Sequence, residues 1–545
     1  MNRFILPLLF SFTSLSAQLT LEKSTFFGGN GFDHIFKVRG APDGGIYCLG
    51  QTSAQGLSTP GAFQPELAGW DDIFICRLDA DLNVLWYTYF GASLDQIPED
   101  MAILADGSIV VIGQTNSSEG LYYPGGFPIS SGTRFILRMD ENGNRIWSSY
   151  FYANATLRQV EPLDNGDFIL SGSAGESTDV ASPGSQQTSS AGGVDMFFTR
   201  MTPDGEIVWS RYFGGPLIDN LLAIKCENGY LYGAGLTHST SGIAFNTAEG
   251  NTFMGGPNDA ILVKLDLNGN LIKARYFGGD GDDMFQAIDA SGGFLALGGL
   301  SDSSNGINHG NHVLLDDPAP ISAAFIASFN EELEIEWGTY HSSFVAVHDI
   351  KLDPSGNSWL AGYSVNGDDI EFNSGTTFNN DADGMIAQFL PSGELAMCGF
   401  YATGSSIDRI YSISLDETHL FAVGFTTSAD MPVSEDAWLP NYAGSTDGLI
   451  LRLALPVGVD EIADPSVSPV YPNPALDQLT IPSSAMMGVQ ELQVCDLTGR
   501  SVLHLSANHP GAATLHITSL LPGMYTIRAH NASGQAVWVQ RWVKG

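Results

Sequence analysis

Short apolar runs separated by turn residues dominate the chain. Runs such as IYCLGQT at 46–52 and DAILVKLD at 259–266 contain β-branched and aromatic residues, and tight-turn pairs such as Asp106-Gly107 and Asn268-Gly269 occur between such runs. The apolar positions show no helical periodicity. The pattern therefore predicts an all-β chain of short antiparallel strands.

An aromatic pair recurs along the chain at intervals of 60 to 64 residues. Each interval holds a glycine-containing loop, four predicted strands and one long variable loop. Four short antiparallel strands in a repeat of about sixty residues form one blade of a β-propeller. We therefore predict a seven-bladed β-propeller over residues 18–456. The pairs are Phe26-Phe27, Tyr89-Phe90, Tyr150-Phe151, Tyr212-Phe213, Tyr276-Phe277, Tyr340-His341 and Phe400-Tyr401.

The ends of the repeat region predict how the propeller closes. The region begins in the strand that carries an aromatic pair, and it ends after the run DGLILRL at 447–453, so each end holds an incomplete blade. We expect residues near 19–27 to supply the fourth strand of a seventh blade whose first three strands come from residues 406–453. This pairing hides an edge of the sheet.

Three motifs resemble the repeats of the secreted bacterial seven-bladed propellers. They are Trp86 to Gly91 (WYTYFG), Pro60 to Gln64 (PGAFQ) and Asp259 to Asp266 (DAILVKLD). The resemblance covers the repeat region and implies the architecture. It implies little about activity, because propellers carry unrelated functions.

The last part of the chain has a different pattern. Residues 457–469 form a proline-containing linker, and residues 470–545 contain enough strand-like runs for a small Ig-like β-sandwich. The segments at 471–474 (YPNP), 492–499 (LQVCDLTG), 521–528 (LPGMYTIR) and 540–544 (QRWVK) resemble the type A C-terminal sorting domain of type IX secretion substrates. The resemblance implies a host of the Bacteroidota kind, type IX secretion machinery as a partner of residues 470–545, and release or surface attachment after the tail is removed.

The N-terminus and the charge balance limit the location and the partners. Residues 1–17 combine Arg3, an apolar run and a small-residue cleavage site, which is typical of a signal peptide. No later run is apolar enough for a membrane helix, so we expect a secreted or surface protein without membrane insertion. The chain has 22 basic and 60 acidic residues, a net charge of −38, which disfavours nucleic acid as a partner. We expect a monomer.

Five cysteines are sparse for an exported protein of this length and have no metal-type spacing. Cys48 and Cys76 are candidates for neighbours on adjacent strands. We interpret them as buried free thiols, with a disulfide as the alternative.

The long variable loops are the predicted place for a ligand. In a four-stranded blade, these loops and the glycine-containing loops emerge on the same rim, and a binding site is expected there. Among the aromatic residues of the long loops, Tyr122, Tyr123 and Trp438 are candidates for stacking against a sugar or a peptide. The alternative is that they pack over the edges of the blades.

A second candidate set is acidic. Residues 28–36 fit a calcium-binding nonapeptide that works in tandem, yet the second full copy begins only at Gly278, so a calcium roll is not expected. A ring of carboxylates at the channel mouth remains a candidate Ca²⁺ site. The alternative is structural, with these acids capping turns or pairing with Arg77, Arg138, Lys264 and Arg452. The acidic set is Asp33, Asp95, Asp219, Asp283 and Asp408.

The sequence contains no catalytic motif that selects a nucleophile, a base or a zinc site. We therefore expect a secreted or surface binding module for a glycan or a protein, with a possible role in adhesion, and no assigned catalytic residue. Two alternatives stay open. One is a polysaccharide- or peptide-active enzyme with its site on the long-loop rim, and the other is a structural protein stabilised by calcium.

Overall fold

The computed structural model describes residues 19–152, 154–175, 178, 180–314, 323–341, 345–365, 378 and 381–455, and in the C-terminal part 477–482, 486, 489–495, 501–506, 513–518, 520, 523–530 and 536–544. The chain divides into two compact units, residues 1–454 and residues 455–545. The predicted signal peptide and the predicted linker at 457–469 lie outside the described residues.

The first unit is a seven-bladed β-propeller, as predicted, and each blade is a four-stranded antiparallel sheet. Within a blade, the four strands are called a to d from the channel outward. The strands of blades 1 to 3 are β2 (Asp33–Gly40), β3 (Ile46–Thr52), β4 (Asp72–Leu78) and β5 (Val84–Phe90); β6 (Gln96–Ile103), β7 (Ile109–Thr115), β8 (Arg134–Met139) and β9 (Arg145–Phe151); and β10 (Ala155–Pro162), β11 (Phe168–Gly175), β12 (Val194–Met201) and β13 (Ile207–Phe213).

The strands of blades 4 to 6 follow in the same order. They are β14 (Asp219–Glu227), β15 (Tyr230–Thr237), β16 (Asp259–Asp266) and β17 (Leu271–Phe277); β18 (Asp283–Ser291), β19 (Phe294–Ser301), β20 (Ala323–Asn330) and β21 (Ile335–His341); and β22 (Ala346–Leu352), β23 (Ser358–Ser364), β24 (Asp383–Phe389) and β25 (Leu395–Ala402).

Blade 7 joins the two ends of the propeller. It comprises β26 (Asp408–Leu415), β27 (His419–Thr426), β28 (Asp447–Ala454) and, as strand d, the N-terminal β1 (Thr20–Phe27). β1 pairs antiparallel with β28, from Thr20 opposite Ala454 to Phe27 opposite Gly448. The predicted closure is confirmed.

A β-bulge interrupts strand a of all seven blades, after the third residue in six of them, as between Ile35 and Lys37 in blade 1, and after the second residue in blade 6. The bulge brings a carbonyl of strand a close to strand b. A Cβ on Gly50 would lie 2.3 Å from the His34 carbonyl, and one on Gly235 would lie 2.0 Å from the Asn220 carbonyl. Glycine in the middle of strand b therefore permits the bulge, and the bulge changes which side chains of strand a face the channel.

Side chains also join neighbouring blades at the tight-turn rim. Trp86 donates from Nε1 to the Glu141 carbonyl of the next blade at 3.0 Å, and Trp147, Trp209 and Trp337 each donate to a carbonyl of the blade that follows their own. The aromatic pairs at the ends of the d strands are buried. Apolar packing between blades and these outer hydrogen bonds together hold the ring.

Cys48 lies directly opposite Cys76 in the pairing of β3 with β4. Both are buried free thiols. Burial raises the pKa of the Cys76 thiol, and contact with Cys48 adds to the shift.

The second unit is a small β-sandwich. One sheet pairs β29 (Gln478–Ile481) with β32 (Ala513–His516), and the other has the order β31 (Ser501–Ser506), β30 (Glu491–Cys495), β33 (Gly523–His530), β34 (Ala536–Lys544). Leu479, Val494, Leu515 and Ile527 share its buried core. Within the described residues of the whole chain, no helix is long and apolar enough to cross a membrane.

Candidate functional site

The long loops leave the rim and run along the outer edges of the blades. Tyr123 exchanges two backbone hydrogen bonds with Ser148 of the edge strand β9, at 2.8 and 3.1 Å. Phe245 pairs in the same way with Ala274 of β17. The middle parts of these loops do not stay on the rim from which the loops emerge. They lie along the d strands, whose outer edges would otherwise be unpaired.

The three aromatic candidates lie on these outer edges. Tyr122 and Tyr123 are 39% and 45% exposed, and the Arg145 guanidinium lies 4.4 Å from the centre of the Tyr123 ring. Trp438 packs on Phe27 with the ring centres 4.8 Å apart. The tyrosines belong to blade 2 and Trp438 to blade 7, so the structure does not bring the three together. Their role in binding stays a prediction.

Four of the five acidic candidates begin an a strand and are fully buried. The Asp33 carboxylate accepts hydrogen bonds from the backbone N–H of Gly29 at 2.8 Å and from the Thr52 hydroxyl of strand b. Asp219, Asp283 and Asp408 accept an N–H from the residue four positions earlier in the same way. The glycine-containing loop is thus folded around its own carboxylate.

Asp95 does not belong to this set. It is partly exposed, and Gln96 occupies the equivalent buried position in blade 2, where its Oε1 accepts the Ala92 N–H at 3.0 Å. Gln96 follows Phe90 by the same six residues that separate Phe27 from Asp33. Counting six residues from the second aromatic of the pair therefore identifies Gln96, and not Asp95, as the first residue of strand a in blade 2.

The basic residues proposed as partners of these acids lie elsewhere. Arg77 pairs with Asp43 at 2.6 Å, and Arg138 pairs with Asp106 at 2.6 Å. Lys264 lies 3.9 Å from Glu332, and Arg452 lies 3.3 Å from Glu22. The predicted pairing is wrong, because the bases are near the tight-turn ends of their strands whereas the acids begin theirs at the opposite rim.

A second set of buried carboxylates begins the c strands, and it was missed from the sequence. Asp72 accepts the Ala68 N–H at 2.8 Å and the Gln64 side-chain amide at 2.9 Å, so the glutamine of the PGAFQ motif has a structural role. The set is Asp72, Asp195, Asp259, Asp383 and Asp447. The Asp that recurs at or next to the start of the c-strand run in five of the seven blades was the available signal.

Burial raises the pKa of these carboxyl groups. The pKa rises to about 6 for Asp33, Asp72 and Asp195, and to about 7 for Asp259. The charge of Asp283 in the next blade also raises the pKa of Asp259. Asp259 and Asp283 alone are two carboxylates, too few to form a protein metal site. Across the described parts of the chain, no group of three or more His, Cys, Asp or Glu side chains is arranged to hold a metal ion, and Ca²⁺ binding by the acidic set stays a prediction.

The a strands line a central channel that contains a cavity of about 500 Å³, here called the channel cavity. Side chains from blades 1 to 6 line it, including Lys37, Glu99, Arg158, Gln286 and His348. The bulge places several of these side chains on the channel side. This volume lies in the range of small-molecule sites.

Polar contacts near the tight-turn end join every neighbouring pair of a strands. Seven contacts close the ring in blade order: Arg39–Asp100, Val160 N–Asp100, Lys225–Glu161, Lys225–Asp289, Leu352 N–Asp289, Ser412–Asp349 and Gly40 N–Ser414. Burial alone would raise the pKa of Asp349, but the charges of Lys351, Lys37 and Arg39 lower it to about 2. The residues of the seven contacts have structural partners and hold the channel together.

Aromatic and histidine rings, here called the mouth cluster, pack together next to the cavity, and His348 is the member of this cluster that lines it. Tyr411 stacks on Phe36 at 5.3 Å between ring centres and meets His348 edge-on at 5.0 Å. The Arg409 guanidinium lies 4.2 Å from the centre of the Tyr363 ring. The cluster comprises His34, Phe36, His348, Tyr363, Arg409, Tyr411 and Phe425.

Two buried polar atoms of the cavity lining have no hydrogen-bond partner within the described chain. They are Gln286 Oε1 in blade 5 and His348 Nε2 in blade 6, and both atoms are buried. Burial, with the charges of Arg409 and Lys37, lowers the pKa of His348 to about 4, so its ring is neutral at neutral pH. Sequence reasoning did not select these residues. Gln286 follows the buried Phe285 and His348 follows the buried Val347, but the two segments share no recognisable motif.

Residues 469–544 match the family described as the secretion system C-terminal sorting domain. The match confirms the predicted sorting domain, and it indicates engagement with the type IX secretion machinery and export to the extracellular or cell-surface side. No curated protein matches the chain.

Distant likenesses exist among solved structures. Virginiamycin B lyase from Staphylococcus aureus is 11% identical, with 80% of this chain and 100% of that chain covered and a TM-score of 0.38. A protein of unknown function from Bacteroides caccae is 11% identical, with 58% and 94% covered and a TM-score of 0.27. These likenesses are too remote to bear on function.

Proposed function

We propose that the protein is an extracellular binding module whose ligand, a glycan, enters the channel cavity. The observation that carries this proposal is the pair of unsatisfied atoms, Gln286 Oε1 and His348 Nε2, on neighbouring blades of one cavity. Buried polar groups nearly always have a hydrogen-bond partner, and one left unpaired costs about 1–3 kcal/mol. A ligand that offers a donor and an acceptor satisfies both.

The chemistry of the walls favours a glycan over a protein segment. His348 and Gln286 present hydrogen-bonding groups, while Leu222, Ile224 and Val347 offer apolar surface in the same lining and Tyr411 packs behind the His348 ring. Sugars combine hydroxyl groups with apolar ring faces, and aromatic side chains stack on those faces. A cavity of about 500 Å³ accommodates a short saccharide rather than a folded partner.

The test is binding of the full chain to a glycan array. Gln286→Ala and His348→Ala are informative variants, because among the described residues no hydrogen bond to Gln286 Oε1 or His348 Nε2 is lost and folding is expected to persist. Tyr122→Ala, on the outer edge of blade 2, is the control. We expect a defined set of glycans that the wild type and Tyr122→Ala retain and that both channel variants lose.

Two results would contradict the proposal. One is an array on which the wild-type chain retains no glycan. The other is retention that Tyr122→Ala abolishes and the channel variants leave intact, which would return the site to the outer edge of the blades. Thermal unfolding of each variant shows that the comparison is between folded proteins.

A further inference from the structure

Lys37 differs from the other basic residues of the channel cavity. Four bases in the lining each have a carboxylate partner: Arg39 with Asp100 at 2.6 Å, Arg158 with Glu99 at 3.5 Å, Lys225 with Glu161 at 3.1 Å and Lys351 with Asp349 at 2.5 Å. Lys37 has no ion pair or hydrogen bond from its ammonium group to another described residue. It is the fifth basic side chain of the lining.

The nearby carboxylate is already engaged. Asp349 is close enough to feel the charge of Lys37, but its oxygens accept hydrogen bonds from the Lys351 ammonium, the Ser412 hydroxyl at 2.8 Å and the Ile413 N–H at 3.0 Å. An ammonium group in a cavity without an anionic partner is destabilising. Lys37 therefore has the chemistry of a group reserved for a ligand.

Arg409 adds to the positive character of this side of the cavity. The charges of Lys37 and Arg409 both act on the His348 ring. Arg409 is held over Tyr363 and Phe425, at 4.2 and 5.9 Å from the ring centres, and its buried Nε donates to no described residue. Lys37 in blade 1 and Arg409 in blade 7 thus place two positive charges beside His348.

We infer that the channel cavity binds an acidic sugar, whose anionic oxygens lie between Lys37 Nζ and His348 Nε2. This rests on the proposed function and specifies its ligand class. The anionic group is a carboxylate, as in a uronic acid, or a sulfate ester, since both accept hydrogen bonds from an ammonium and an imidazole N–H. Gln286 then contacts a hydroxyl group of the sugar.

The experiment uses four small probes with the full chain: glucuronate, glucose 6-sulfate, glucose and, as an acidic compound that is not a sugar, N-acetylaspartate. Titration calorimetry or ligand-observed NMR measures each affinity. We expect at least one acidic sugar to bind about tenfold or more tightly than glucose, and Lys37→Gln to remove that preference, since tenfold is about 1.4 kcal/mol. Lys273→Gln is the matched control, because Lys273 lies on the outer strand of blade 4 and is 3.8 Å from Glu332.

Lys37→Gln also has a stability readout. Because the ammonium group forms no internal ion pair and Asp349 keeps its Lys351, Ser412 and Ile413 partners, Lys37→Gln is expected to stay folded with at most a small change in melting temperature, so lost binding cannot be attributed to unfolding. The inference is overturned if neither acidic sugar binds, if glucose binds as tightly, if Lys37→Gln has no effect, or if N-acetylaspartate binds in preference to both sugars. Retention of neutral glycans on the array, lost in His348→Ala, would preserve the binding function and refute only its acidic ligand.

Discussion

The backbone N–H of Gly279 donates a 2.7 Å hydrogen bond to the carboxylate of Asp283, four residues later. The same contact joins Gly29 to Asp33 and Gly215 to Asp219. In blade 2 the acceptor is the Gln96 amide oxygen. The glycine-containing motif of each of these loops is therefore a turn capped by the first residue of the channel strand.

This geometry predicts unequal effects for two adjacent substitutions. Gln96→Ala removes a buried acceptor and leaves the Ala92 N–H and the Thr115 hydroxyl without that partner, so we expect a loss of about 1–3 kcal/mol in the free energy of unfolding. Asp95→Ala, at a partly exposed position, is the control and should change it little. Urea unfolding midpoints measure both. Equal losses would contradict the assigned register.

The buried carboxyl groups predict that stability rises as pH falls from about 8 to about 6.5. The pKa of Asp259 is about 7 in the folded state against an ordinary value of 3.8, so the folded state binds the proton first and gains stability as it does. This contribution is fully present below the unfolded pKa and is lost as pH rises through 7. Melting temperatures across the interval measure it.

Buried histidines limit that rise below about pH 6.5. Burial lowers the pKa of His34 and His348 from 6.5 to about 4, so their contribution is present above 6.5 and is lost as pH falls towards 4. Asp259→Asn should flatten the curve between about pH 8 and about pH 6.5, whereas Asp436→Asn, at a largely exposed carboxylate, should not. A melting temperature that falls steadily as the pH is lowered from 8 would be inconsistent with buried acids of raised pKa.

Trp438 provides a test of the outer edges. Trp438→Ala uncovers Phe27 and is expected to lower the free energy of unfolding by about 1–2 kcal/mol without changing ligand affinity. Trp70→Ala is the matched control, because that side chain is 75% exposed. Thermal unfolding and a binding isotherm are measured on the same samples. A loss of affinity in Trp438→Ala alone would restore this residue as a ligand contact.

A chelator tests the predicted calcium ring. Each buried strand-a carboxylate already accepts hydrogen bonds within its own blade, so EDTA is expected to leave the melting temperature unchanged. A lower melting temperature that Ca²⁺ restores would instead assign these carboxylates to a cation. The comparison with Mg²⁺ distinguishes a specific calcium site from charge screening.

The fold follows from the sequence to a greater extent than the site does. The aromatic pairs mark the ends of the d strands, and their spacing predicts seven blades and the closure by β1. The residues that line the channel cannot be identified by counting from the aromatic pairs, because the bulge in strand a shifts the alternation of its side chains, as after Ile35 in blade 1. Lys37 and His348 come from blades 1 and 6, far apart in the chain, and only the closed ring places them in one cavity.

The most direct test of ligand binding in the channel is histidine side-chain NMR on the full chain with a glycan that the array identifies. His348 lines the cavity, whereas His309 pairs with the outer edge of blade 5 and His419 lies beside Glu22. Saturation with the ligand is predicted to shift the ring signals of His348 and to leave those of His309 and His419 in place. Shifts at His309 or His419 with none at His348 would contradict a ligand site in the channel.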